Sequence, residues 1–448
     1  MSDPQSGVPV PGSGQLPDPT PIPADDQVLE PGQVPEEQKA PDAPRSRFDG
    51  VLREIMSGSI VISILAVVLA LVVGGILIAI TDENVAKAAG YFFSRPSDTF
   101  QAAWNAVSGA YSSLFQGSIY AVNRPGFAAG IKPFTDTLSF ATPLIAAGLG
   151  VALSFRIGLF NIGGQGQMLV AAAAAGWVGF AFTIPFPLHL ILALVVGIAA
   201  GAAWAGIVGA LKAFTGAHEV IVTIMLNYVA YYLLAFLLRT PGLLQAPGSN
   251  NPKSPPEKES AIFPHLFGPS YNLNIGFIFA IIATIIVWYL LNRSSLGFKF
   301  RALGENPSAT RVAGINVKAM YIVGMLISGA LIGLAGAYQV QGSITTGFGS
   351  GIDAGIGFDA ITVALLGRSR PVGVFIAGIL FGALKAGGFT MQAVNGVPIE
   401  IVLVVQSLIV LFIAAPPLVR AVFRLPSPAV QQRVKRSKLS GRKAVVTK

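Results

Sequence analysis

An all-α membrane protein is the fold the sequence predicts, and three observations predict it. The hydrophobic share is 53% against a charged share of 11%, with a mean hydropathy of +0.65, a balance foreign to soluble globular domains. Apolar runs long enough to span a bilayer recur between residues 60 and 419. The basic residues fall in short links beside those runs and in the tail after Arg420, which is the bias of cytoplasmic loops. The net charge of +9 is therefore assigned to the inner membrane face and not to nucleic acid.

Several chemistries are excluded or made improbable at once. Cys is absent, so there is no disulfide, thiolate metal site or cysteine nucleophile. The three histidines, His189, His218 and His265, form no HExxH motif, and no GxxxxGK[ST] occurs. The chain cannot cradle the phosphates of ATP through its own P-loop.

Residues 1–50 are rich in Pro, Gly, Gln and acidic residues and poor in large apolar ones, so they read as a disordered cytoplasmic tail. Residues 51–80 hold a first transmembrane helix, its apolar run at 60–80 preceded by Arg45, Arg47 and Arg53. A signal peptide is the competing reading, helped by Ala86 and Ala88, but the apolar core is too long for one. Residues 81–134 mix modest apolar content with Ser, Asn, Gly and aromatic residues such as Trp104 and Tyr111. That pattern predicts an extracytoplasmic segment with amphipathic helices at the interface.

From 135 to 424 a core is expected, with spans near 137–155, 162–183, 188–211, 219–238, 274–292, 319–340, 356–367, 372–391 and 398–419. With the first, these make about ten transmembrane helices. Threading them from a cytoplasmic N-terminus puts Arg156, Lys212, residues 293–318, Arg368, Arg370 and the basic tail 425–448 on one side. Both termini are then cytoplasmic, and the mixed-charge loop 240–272 lies outside.

Two glycine-rich interruptions break this pattern. Residues 155–167, FRIGLFNIGGQGQ, sit between apolar runs, and GSITTGFGSGIDAGIGF precedes the short span at 356–367. Irregular backbone and side-chain amides survive in hydrocarbon only where protein buries them or a wet cavity receives them. One such break reads equally well as a tight inner turn. Two, one in each half of the chain, point to related halves with a binding site between them.

Polar side chains within the spans are mostly neutral, and Asn161, Gln165, Gln167 and Asn227 are the expected substrate pathway, with Phe358 and Asp359 at the second break. Amides, hydroxyls and aromatic rings suit an uncharged sugar or nucleoside better than an ion, although the same amides can simply bridge helices. Asp359 is expected near mid-membrane or as the cap of the short helix, and Glu219 and Glu400 near span ends. One aspartate is thin support for ion coupling.

The inner loop 292–318, NRSSLGFKFRALGENPSATRVAGINVK, is too polar to span and too long for a turn. Asn306 and Pro307 predict the start of a short helix, with Ala309, Val312 and Ala313 on one face by three- and four-residue spacing. Such a helix suits docking in a partner's cleft.

LGENPSATRVAGINV in this loop resembles the coupling loop of permease subunits of ABC importers in the branched-chain amino acid and ribose permease superfamily. FRIGLFNIGGQGQMLVAA, AHEVIVTIMLNYVA and GFDAITVALLGRSRPVGV are similar to the simple-sugar and nucleoside branch, and together the blocks cover most of residues 137–415. Gln165 departs from the Glu, and His218 from the Asn, common in relatives. The resemblance implies a ten-helix permease in the bacterial cytoplasmic membrane, working with a second permease subunit, P-loop ATPase subunits and an extracytoplasmic solute-binding protein. It implies no cofactor in this chain, ATP and Mg being bound by the ATPase, and no enzyme activity. ATPase coupling falls by resemblance to Gly297, Arg301, Gly304, Glu305, Asn306, Pro307, Ala309, Ala313 and Gly314. Nucleosides are the expected cargo, with ribose-like sugars as the alternative within the family and a self-contained secondary carrier as the alternative outside it.

Overall fold

Where no water reaches the backbone, each segment must satisfy its own amides, and the apolar runs fold as helices. The computed structural model describes residues 59–424. The expectations for the Pro-rich tail, the start of the first transmembrane segment and the basic C-terminal tail lie outside the described residues. In chain order the helices are α1 (Ser59–Thr81), α2 (Glu83–Ala89), α3 (Pro96–Ser118), α4 (Lys132–Arg156), α5 (Gly164–Ala181), α6 (Leu188–Thr215), α7 (Glu219–Leu237) and α8 (Gly276–Arg293). They continue with α9 (Ser295–Glu305), α10 (Pro307–Val312), α11 (Val317–Tyr338), α12 (Ile356–Leu366), α13 (Pro371–Asn395), α14 (Ile399–Ala414) and α15 (Pro416–Val422). Among the described residues there is no strand, only an isolated bridge between His265 and Asn274.

Every one of the ten predicted spans is helical, yet length and composition qualify seven helices as membrane-crossing, or eight if α14 and α15, bent by 95°, count as one span. The two shortfalls are the glycine-broken segments. α12 has 11 residues, about 16 Å at helical rise, and α5 opens on GQGQ.

α4 is the central post. Its window is 78% buried, against 50% or less for the other spans, and it packs on α3, α8, α11, α12 and α13. The most extensive pairing is α11 along α6. There a Cβ on Gly201 would lie 2.7 Å from the Gly329 carbonyl oxygen, so small residues let the two backbones touch, the usual route to tight helix pairs in lipid. In the segment 81–134, α3 packs along α13 and against α1, and the Tyr111 hydroxyl donates to the Leu71 carbonyl.

The two ends of the bundle differ. At the basic end Arg156 Nε donates to the Ser369 carbonyl at 3.0 Å, Arg370 and Arg301 lie within electrostatic reach of Arg156, and Lys212 pairs with Glu219 at 2.7 Å. At the other end residues 240–272 are sewn onto the chain after α11. Phe263 N donates to Gln341 O (2.8 Å), Glu257 N to Thr345 O (2.8 Å) and Ser254 N to Phe348 O (2.9 Å). The Glu257 side chain is tucked over Gly176 and Gly179 of α5, where a Cβ on Gly179 would collide with its Oε2 and one on Gly176 would stand 3.1 Å from its Oε1. Its carboxyl oxygens have no hydrogen-bond partner among the described residues, and burial pushes its pKa up to about 8.

Candidate functional site

After Arg156 at the basic end, the chain turns back into the bundle without helical structure. Asn161 carries this return: its Nδ2 donates to Ser328 Oγ at 3.1 Å, eleven residues into α11 and so about 16 Å from the basic end by helical rise. Its Oδ1 accepts from Gly163 N at 2.9 Å and from Gln167 Nε2 at 3.1 Å. Asn227 of α7 grips the same break with both amide atoms, accepting from Gly166 N at 2.8 Å and donating to Ile162 O at 3.0 Å. These amides replace the hydrogen bonds that irregular backbone forfeits in an apolar setting.

The second break enters from the opposite end. Residues 344–355 descend from the five-residue π-helical turn Gln339–Ser343 to the start of α12. The sequence made Asp359 a candidate cap for this helix. The capping position is instead Gly355, at φ 78°, and it is Asp353 whose Oδ2 accepts from Gly355 N at 3.3 Å, since a left-handed cap favours glycine and leaves its N–H for a neighbouring carboxylate. Gln165 of the first break lies beside the same carboxylate. The breaks then touch backbone to backbone. A Cβ on Gly164 would be 2.7 Å from Gly357 O, and one on Gly357 would be 2.3 Å from Gln165 N. Each break thus enters from one end and delivers a helix toward the other, α5 toward the 240–272 loop and α12 toward Arg156.

Above this crossing opens a cavity of about 480 Å³, walled by α4, the 240–272 loop, the turn after α11, and α13. That size lies in the range of small-molecule sites. Aromatic rings form its sides: Phe140 faces Phe389 at 5.7 Å, and Phe263 faces Tyr338 at 6.1 Å. Ser139, Gln339, Ser343 and Thr345 supply neutral polar groups, and Lys385, beside Ala354 and Ile356, supplies a cation. A second chamber of about 410 Å³ shares Asp136, Phe140, Asn272 and Phe389 with the first. The hydrogen bond from Asn272 Nδ2 to Asp136 Oδ1, 2.8 Å long, lies where the two chambers join.

Asn161, Gln167 and Asn227 are 1%, 1% and 4% exposed, knit around the first break and outside the lining of this cavity. Gln165 reaches Asp353, and Asp359 lies within electrostatic reach of Asp353 and Lys385. Phe358 is exposed on α12. Two residues that sequence reasoning missed complete the group, Asp353 and Lys385. The signal for Lys385 was present: a lysine fourteen residues into an otherwise apolar 25-residue helix is the kind of intramembrane charge that marks a pathway.

At the basic end the inner loop folds as α9 and α10. Gly304 lies against the Arg156 backbone, where a Cβ would be 2.3 Å from the Arg156 carbonyl oxygen, and Gly297 packs equally tightly on Leu290. Asn306 caps α10, accepting from Ser308 N and Ala309 N at 3.0 Å each, Pro307 is its first residue, and Gly314 turns the chain out of it at φ 79°. Arg301 is half-buried, while Glu305, Ala309, Val312 and Ala313 are exposed, Val312 to 90%.

Comparison with known proteins decides the class. Residues 134–414 match the family described as branched-chain amino acid transport system / permease component. The chain belongs to this family. It is a permease subunit of an ABC importer, a transport component and not itself an enzyme, and a multi-pass protein of the cytoplasmic membrane. It is 37% identical to a guanosine ABC transporter permease protein of Bacillus subtilis over 81% of this chain and 95% of that one. It is 34% identical to a nucleoside ABC transporter permease protein of Lactococcus lactis over 69% and 86%, and 35% identical to a glucose ABC transporter permease protein of Haloferax volcanii over 62% and 75%. No solved structure matches the chain. Within this permease family the matched region takes in both breaks, the cavity and the α9–α10 loop, and begins just after the segment that carries α2 and α3.

Proposed function

We propose that this subunit passes nucleosides through the cavity above the Gly164–Gly357 crossing. The observation that carries the reading is the cavity's chemistry: two aromatic pairs and several neutral hydrogen-bonding groups in one lining, which suits a ring bearing a hydroxylated sugar. Relatives named for guanosine and nucleosides support it. The likeness to a glucose permease favours a second reading, a simple-sugar importer.

In the proposed arrangement the ten helical runs cross or enter the membrane as threaded from the sequence, with α5 and α12 as half-helices meeting at mid-depth and both termini cytoplasmic. The basic end is the inner face. The exposed Ala309, Val312 and Ala313 of α10 seat in a P-loop ATPase, which binds ATP and Mg. A second permease subunit and an extracytoplasmic solute-binding protein complete the importer, and no cofactor resides in this chain. Asn161, Gln165, Gln167 and Asn227 act on the pathway by holding the breaks that floor the cavity.

Reconstitution in proteoliposomes tests this. With the ATPase, the second permease and the binding protein present, ATP-dependent nucleoside uptake is expected, and none from this chain alone under an ion gradient. If glucose or ribose outcompetes every nucleoside, the sugar reading replaces this one. Robust uptake by the isolated chain overturns the importer assembly.

A further inference from the structure

Among its described lining residues the cavity holds a lysine, which a neutral nucleoside path does not require. Lys385 lies mid-way along α13, about 21 Å from the basic end at helical rise, where an ammonium is costly unless it has partners or work to do. Its Nζ donates to the Ala354 carbonyl at 3.2 Å, and Asp353 and Asp359 lie within electrostatic reach. An ammonium has three N–H donors, so two remain and Lys385 lines the cavity. One helical turn further along the same face stands Phe389, 47% exposed, at the four-residue spacing that makes helix side chains neighbours. A half-exposed aromatic ring, with Phe140 on one side of it, and a two-donor cation are thus one turn apart on one wall.

We propose that Lys385 is a specificity-determining residue that reads the oxo edge of a purine base stacked on Phe389, favouring 6-oxopurine nucleosides over 6-aminopurine ones. The inference rests on the nucleoside reading above. A lysine pairs with O6 and N7 of a 6-oxopurine because both are acceptors, whereas a 6-aminopurine presents an N–H₂ donor where O6 stands. Donor then meets donor, and one Lys385 N–H is left without a partner in a desolvated site. Asp353 and Asp359 lie within electrostatic reach of the ammonium and do not contact the base.

The test compares inosine with adenosine in the complete reconstituted importer, dividing out the same ratio measured on the soluble binding protein. The expected result is that Lys385→Met lowers inosine uptake about tenfold or more relative to adenosine, the weight of a hydrogen bond to a charged group, while Lys385→Arg keeps the parent ratio. Equal loss for both nucleosides at normal membrane level makes Lys385 a structural residue and overturns the proposal, as does an unchanged ratio. Should Lys385→Met not reach the membrane, the parent decides with nebularine, which lacks O6: uptake equal to that of inosine overturns the proposal, and uptake about tenfold poorer supports it. A parent that moves pyrimidine nucleosides but neither purine one overturns the proposal alone, whereas a parent that moves no nucleoside removes the nucleoside reading itself.

Discussion

Gly164 and Gly357 meet backbone to backbone, the Gly357 carbonyl oxygen only 2.7 Å from where a Gly164 Cβ would stand. The crossing joins two half-helices that enter from opposite ends, and neither glycine has room for a side chain. Gly357→Val is expected to cost at least the 1–3 kcal/mol or so of an overpacked contact. Detergent-solubilised protein should unfold several degrees below the parent and transport should be lost. A variant with parental Tm and uptake would show that the crossing is loose.

Asn227→Leu strips the first break of both its side-chain partners from α7, leaving the Gly166 N–H and the Ile162 carbonyl unsatisfied. Each buried orphan costs about 1–3 kcal/mol. Lower thermal stability is therefore expected along with lower uptake, and Asn227→Asp, which keeps the acceptor but not the donor, should fall between. Uptake lost at parental stability would place Asn227 in contact with the cargo.

Glu257 makes stability depend on pH in an unusual direction. Its folded pKa, about 8, lies above the unfolded carboxylate value, so the folded state binds more protons and stability falls as pH rises from the mid-4s through about 8. The parent should melt higher at pH 5.5 than at pH 8.5, and Glu257→Gln should remove most of that difference and raise Tm at pH 8.5 by about 2 °C or more. A Gln variant with the parent's pH slope would place the titration elsewhere.

Ala313→Glu puts a charge on an exposed face that the fold itself does not use, so Tm should stay within about 1 °C of the parent, as for most surface changes. If α10 is the ATPase seat, substrate-stimulated ATP hydrolysis should drop severely because the charge enters a packed contact. Asn306→Ala is the contrasting variant: it removes the α10 cap at about 1 kcal/mol and should weaken the loop and coupling together. Hydrolysis unchanged in Ala313→Glu takes α10 out of the interface.

Most of the architecture was legible because apolar period and length report helices directly, and the Asn306–Pro307 start of α10 was read from capping chemistry alone. Both breaks were visible as glycine and amide interruptions. That Gly164 and Gly357 would touch was not, since contact between residues almost two hundred positions apart leaves no local mark. The site was read less completely. Asn161, Gln167 and Asn227 carry amides, and sequence cannot tell an amide that serves backbone from one that faces a cavity. Lys385 was readable as a charge inside an apolar run but was passed over beside Asp359. Asp353 looked like loop because the descent from Ser343 to Gly355 has no period at all.

The stitched loop at the cavity end has a practical consequence for anyone attaching a probe there. Ser254, Glu257 and Phe263 donate in antiparallel order to Phe348, Thr345 and Gln341, so this stretch behaves as part of the folded body despite its prolines, and a tag placed within it would pry the second glycine-rich segment from its neighbours. Gly248, at φ 73° with nothing within 4 Å of where a Cβ would stand, sits exposed in a turn. An epitope or fluorophore inserted there should report which side of the membrane this end occupies while leaving the importer working.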